Sequence, residues 1–217
     1  MPAQHYKAYG ISLIIGSLLM VVTMVLHPAG GSIEQILQIY NLAIISHSLA
    51  ILSIPFLLFG FWGLTQRLND SYFFSMTAFM FMATGLMAVM IAAALNGIVL
   101  PLYVDKYADS GEETLEIVKH IISYGFILNH AFDYIFIAAL CLAVFFWSIA
   151  ILKSAAMPSW IAYLGILYFV FCGVLAAAGF NFISLNSFAM YIFGSMIWIL
   201  CAGVLLAVRQ TGDQEQA

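Results

Sequence analysis

Six stretches of nearly unbroken apolar residues, separated by short polar or Gly/Pro-containing joints, make up most of the chain. Each is about 18 residues or longer, the length a helix needs to cross the roughly 30 Å hydrocarbon core of a bilayer. The first covers 9–26 and stops at His27-Pro28 and Ala29-Gly30-Gly31, since proline and glycine together break a helix. Ser32 can cap a helix whose polar first turns, 33–41, lead into the second stretch, 42–64, where Pro55 is positioned to kink it. The third stretch, 72–100, is expected to stop at Pro101 and to be followed by a polar loop at 104–111. Residues 112–124 read as an amphipathic extension, acidic in the first turn as the helix dipole favours. No breaker separates that extension from the fourth stretch, so one helix of about 40 residues should run to Lys153. The fifth follows Pro158-Ser159-Trp160 and reaches Phe180; after a turn at 181–186 the sixth ends near Arg209. The pattern predicts an all-α polytopic membrane protein, with six transmembrane helices in one bundle (1–209), helical extensions on the outer side and a disordered tail (210–217).

Composition agrees: hydrophobic residues are 65%, charged residues 7%, and the mean hydropathy is +1.06, which excludes a soluble globular domain. The net charge of −4 and the scattered lysines and arginines leave no basic surface for nucleic acid and no cluster for anionic lipid. Cys141, Cys172 and Cys201 fall within apolar stretches without a CxxC spacing, and read as small packing residues. Lacking an Ala-x-Ala processing site, the first stretch reads as a retained span. Lys7, Arg67, Lys153 and Arg209 fall on one side, against Lys106 and Lys119 among the acidic joints on the other. The positive-inside bias then expects both termini in the cytoplasm.

The candidate chemistry begins with Asp133, inside the apolar run 126–152. An ionisable group at the bilayer centre costs roughly 2.5–3.5 kcal/mol on insertion scales, so its presence points to function. His130 lies one helical turn earlier. Counted at 1.5 Å per residue, His27, His47 and Asp133 share a height, each 20 residues from a cytoplasmic cation (Lys7, Arg67 and Lys153) and near the outer edge of the core. Asn96 and Asn181 approach the same layer, and Tyr40 and Tyr134 are placed by helical spacing to reach into it. Interfacial water and headgroups can satisfy such polar residues without any function.

Three imidazoles and a carboxylate suit zinc or another divalent metal. Paired histidines on different spans, such as His47 and His130, can also ligate haem, and Asp133 with a histidine can exchange protons. No HExxH or HxxxH signature singles out one reading. Pro158-Ser159-Trp160 with Ile161-Ala162-Tyr163-Leu164-Gly165, and the His27-Pro28 end of the first span, resemble a bacterial family of six-span membrane proteins of unknown function. The resemblance implies a six-helix architecture in a bacterial inner membrane and supplies no substrate or catalytic residue. The functional expectation is an outward-facing pocket of His27, His47, His130 and Asp133, lined further by Asn96, Tyr40, Tyr134 and Asn181, binding a metal or a small or lipid ligand. Its enzymatic form is a zinc-dependent hydrolase of lipid amides or esters. A non-enzymatic subunit, a small transporter and a b-type haem protein are the alternatives, and oligomeric state is open.

Overall fold

In lipid a segment must satisfy its own backbone, and an apolar segment does so as a helix. The computed structural model describes residues 3–208, with side chains from His5 onward; Arg209 and the expected tail, 210–217, lie outside the described residues. Among the described residues eight α-helices form: α1 (Ala3–Leu26), α2 (Ile33–Gln38), α3 (Tyr40–Arg67), α4 (Tyr72–Ala94), α5 (Leu100–Tyr107), α6 (Glu112–Ser154), α7 (Ser159–Ala177) and α8 (Leu185–Val208). Six helical runs among them are long and apolar enough to cross a membrane, α4 and α5 counting as one run. The chain is therefore an all-α, polytopic integral membrane protein.

Successive spans are neighbours, α1 with α3, α3 with α4, α4 with α6, α6 with α7 and α7 with α8, and α8 packs back on α1 to close a ring. Small residues permit the tightest crossings. A Cβ at Gly63 of α3 would run into the Tyr9 ring of α1, and one at Gly10 of α1 would meet the Gly203 carbonyl and Ala207 of α8. Buried aromatic rings fill the ring of helices: Phe61 stacks on Trp147 at 4.7 Å and Trp147 on Trp198 at 6.1 Å. Polar tips within this core reach carbonyls of other helices. Tyr191 Oη donates to Ile137 O at 3.0 Å, and Trp198 Nε1 donates to Ile161 O at 2.9 Å.

The two ends differ in chemistry. Arg67 lies over the Tyr6 ring and Lys153 over the Phe74 ring, so the start of α1 and the ends of α3 and α6 share one end, which carries the cations. At the opposite, acidic end α2, α5 and the first turns of α6 enclose a small apolar core of Ile33, Ile36, Leu100, Val104, Val118 and Ile122. Ser32 and Gln35 cap α2 reciprocally: Ser32 Oγ accepts from Gln35 N at 3.2 Å, and Gln35 Oε1 accepts from Ser32 N at 3.2 Å. Beside them, hydrogen bonds from its own backbone and from Ser32 hold the Glu34 carboxyl below the ordinary carboxylate range.

Two local expectations are corrected. The polar segment 33–41 is not the first turns of the second span; α2 ends at Gln38, with Ile39 as its C-cap, and α3 starts anew at Tyr40. Nor does the third span stop at Pro101. A π-helical turn, Leu95–Val99, carries the helix on to Tyr107, with Leu100 N bonded to Leu95 O five residues back. Proline normally breaks a helix because its ring collides with the carbonyl four residues earlier and it lacks an N–H. A widened turn accommodates both defects, and π-turns of this kind occur often at functional sites.

Candidate functional site

At the acidic end the ring encloses a cavity of about 300 Å³, lined by residues from α1, α3, α4, α6 and the segment entering α8. His27, His47, His130 and Asp133 all line it, with Thr23 and Asn129, between apolar walls that include Met20, Met24, Val89, Phe126, Phe136 and Phe188. The size and character fit a small-ligand site, mostly apolar with a few convergent polar groups.

His27 and His47 form one wall. His27 follows the last turn of α1, and His47 stands two turns inside α3; their ring centroids are 4.8 Å apart and the planes are inclined by 57°. His47 Nδ1 lies 2.8 Å from Ala43 O, and His27 Nδ1 lies 3.1 Å from Pro28 O. A carbonyl oxygen only accepts, so each Nδ1 carries the proton and each Nε2 is left with a free lone pair. The π-helical turn makes room for this wall: a Cβ at Gly97 would overlap the His47 imidazole. Only glycine lets α3 and the third span approach there with His47 in place.

Asp133 faces from α6 and is held by a chain of amides. Asn96 Nδ2 donates to Asn129 Oδ1 at 2.9 Å, and Asn129 Nδ2 donates to Asp133 Oδ2 at 2.7 Å. The amides run in relay to Asp133 Oδ2, and no hydrogen bond to Asp133 Oδ1 is found among the described residues. Thr23 is 4% exposed, lines the cavity, and its Oγ1 has no hydrogen-bond partner. An orphaned buried hydroxyl costs about 1–3 kcal/mol, a cost a bound polar atom removes.

The floor is apolar. Directly below, Met20, Leu57, Phe61, Met82, Leu86, Phe136 and Leu140 enclose a void of only about 10 Å³. It is too small and too apolar to hold water. Ser12, Ser53, Ser148 and Ser195 turn instead to helix carbonyls (Ser12 to Phe56 O at 2.8 Å, Ser53 to Ala50 O at 2.6 Å, Ser148 to Val144 O at 2.8 Å and Ser195 to Ile192 O at 2.8 Å), whereas the buried Ser17 Oγ has no hydrogen-bond partner among the described residues. On its side toward the bundle core the cavity is therefore bounded by apolar side chains.

No family model matches the chain. No curated protein and no solved structure matches it either. The site must be read from its own geometry. The four ionisable residues singled out in the sequence share one cavity, but among the described residues no group of three His, Cys, Asp or Glu side chains could hold one metal ion. Asn96 stands behind the wall and reaches the cavity only through Asn129. Tyr40 is not among the lining residues. Tyr134 and Asn181 line a different cavity of about 520 Å³ between α6 and α7, together with Cys141 and Cys172. Asn129, Thr23 and Gly97 escaped the sequence reading; for Asn129 the available signal was its position four residues before Asp133, one turn away on the same face.

The pair His27 and His47 stands side by side on one wall, with His130 also lining the cavity from α6. It suits shared contact with one small group presented from the cavity.

Proposed function

We propose that this protein binds a small amphiphilic ligand in the cavity at its acidic end, and that this end faces outward from a bacterial inner membrane. The polar part of the ligand lies among His27, His47, His130, Asp133 and Thr23, and its apolar part lies against Met24, Val89, Phe126 and Phe188. The observation that carries this reading is the convergence of four ionisable side chains, from two spans (α3 and α6) and the joint after α1, on one otherwise apolar cavity. Ionisable groups at this depth are costly, and a ligand that engages them offsets the cost. The orientation rests on Lys7, Arg67 and Lys153 at the opposite end. The apolar floor favours a binding protein, or an enzyme acting on its ligand, over a transporter, which needs a polar path continuing inward. Its enzymatic form is hydrolysis of an ester or amide in a lipid-like ligand.

The test is mass spectrometry of organic species extracted from the protein after mild detergent purification, with His47→Ala and Asp133→Ala alongside. Wild type should retain a species that both variants lose while keeping their helical circular dichroism. The same extract from wild type and folded variants would sink the reading.

A further inference from the structure

We infer that the pocket binds a divalent transition-metal ion of the zinc class through Nε2 of His27 and Nε2 of His47, with the remaining coordination positions open to the cavity. This deepens the pocket reading above and rests on it. Two imidazoles on one tetrahedral zinc, with Zn–N of about 2.0–2.1 Å, place their ring centroids about 5 Å apart. The two rings stand at 4.8 Å.

The tautomers agree with that spacing. Both Nδ1 atoms are committed to carbonyls, Pro28 O and Ala43 O, the outer partners that typically orient a ligating histidine and raise the basicity of its other nitrogen. Both Nε2 atoms are then acceptors, and no hydrogen bond to either is found among the described residues. Two unpartnered acceptors on adjacent rings call for a cation or a donor between them. Imidazole nitrogen selects zinc, copper, nickel and iron over magnesium or calcium.

Asp133 lines the same cavity, and its Oδ1, to which no hydrogen bond is found among the described residues, can accept from a metal-bound water or ligand atom. Because no third His, Cys, Asp or Glu joins the two imidazoles, the other positions fall to water or to the ligand. With two protein ligands, one fewer than a typical catalytic zinc, the site leaves its remaining positions open to the cavity. The acidic rim, with Glu34, Asp105, Asp109, Glu112, Glu113 and Glu116, draws cations toward the mouth.

The experiment titrates cobalt(II) into the full chain, stripped with chelator in detergent, and follows the visible d–d bands. His27→Gln and His47→Gln keep side-chain size, and His120→Ala replaces an exposed histidine of α6 as a control. The expected result is one cobalt per chain with a four-coordinate spectrum, retained in His120→Ala. Each glutamine variant should bind about tenfold more weakly or worse, at least the loss seen on removing a single outer-shell partner. His27 lies in the joint beyond α1, so its variant leaves the helix packing in place if His47→Gln does not fold. Equal cobalt binding by wild type and both variants, or none by any, overturns the metal. If an organic species is then still lost in His47→Ala, the pocket reading stands alone; if no species is retained either, both fall.

Discussion

Replacing Gly97 with alanine separates packing at the site from helix propensity in general. An added methyl would overlap the His47 ring, so either His47 moves or the third span withdraws from α3. Overpacking of this kind costs about 1–3 kcal/mol. Displacing the ring also breaks the 2.8 Å bond from His47 Nδ1 to Ala43 O, which adds about 0.5–1.5 kcal/mol. Against this, alanine gains up to about 1 kcal/mol over glycine in a helix. The net expectation is a destabilisation of about 1–3 kcal/mol. Gly173→Ala is the matched control: nothing lies within 4 Å of its added Cβ, so only the propensity gain remains. Thermal unfolding in one detergent, followed by far-UV circular dichroism, should place Gly97→Ala several degrees below wild type, at about 2–4 °C per kcal/mol for a chain of this size. Gly173→Ala should match or exceed wild type. If Gly97→Ala melts with or above Gly173→Ala, the close seat of His47 is wrong, and with it the fixed wall of the cavity.

Asn129→Leu removes the donor to Asp133 and the acceptor for Asn96, and should cost about 1–3 kcal/mol; combined with Asn96→Leu the loss should be smaller than the sum of the single losses, as a double-mutant cycle by thermal unfolding would measure. Tyr191→Phe keeps the buried ring and deletes the hydroxyl bonded to Ile137 O, so a drop of about 0.5–1.5 kcal/mol is expected, and unchanged stability would show that the bond adds nothing net. Phe61→Ala opens the stack on Trp147 and the floor of the cavity, at a cost of about 3–5 kcal/mol in the same assay. A fluorescent protein fused after residue 217 should fluoresce and a phosphatase there should be inactive; active phosphatase would reverse the orientation.

The spans were legible because length and apolarity alone specify a membrane helix, and α6 was legible at nearly full length because no proline or glycine pair interrupts it. Pro101 misled for a definite reason: the breaker rule assumes a regular α-turn, and a π-turn is a three-dimensional accommodation with no sequence period of its own. Counting depth from the cations put His27 level with His47 because both spans are helices of equal rise, so equal residue counts give equal heights; that the two rings touch came only from the structure. Depth says nothing about azimuth, however. Tyr134 follows Asp133 by one residue, about 100° around the helix, and so faces α7 and the other cavity. Tyr40 shares a face with His47 but stands about 10 Å further along the axis, beyond the cavity. Asn129 was overlooked because its role depends on Asn96, 33 residues away, reaching it across two spans.

In the proposed binding site the apolar floor leaves no polar path to the far side, so occupancy would follow the concentration on the side from which the ligand enters. A charge crossing the whole membrane gains about 2.3 kcal/mol per 100 mV, but a ligand halted near one face traverses little of that drop. Its equilibrium should then be almost indifferent to the membrane potential, and a cell could energise or de-energise the bilayer without emptying the site.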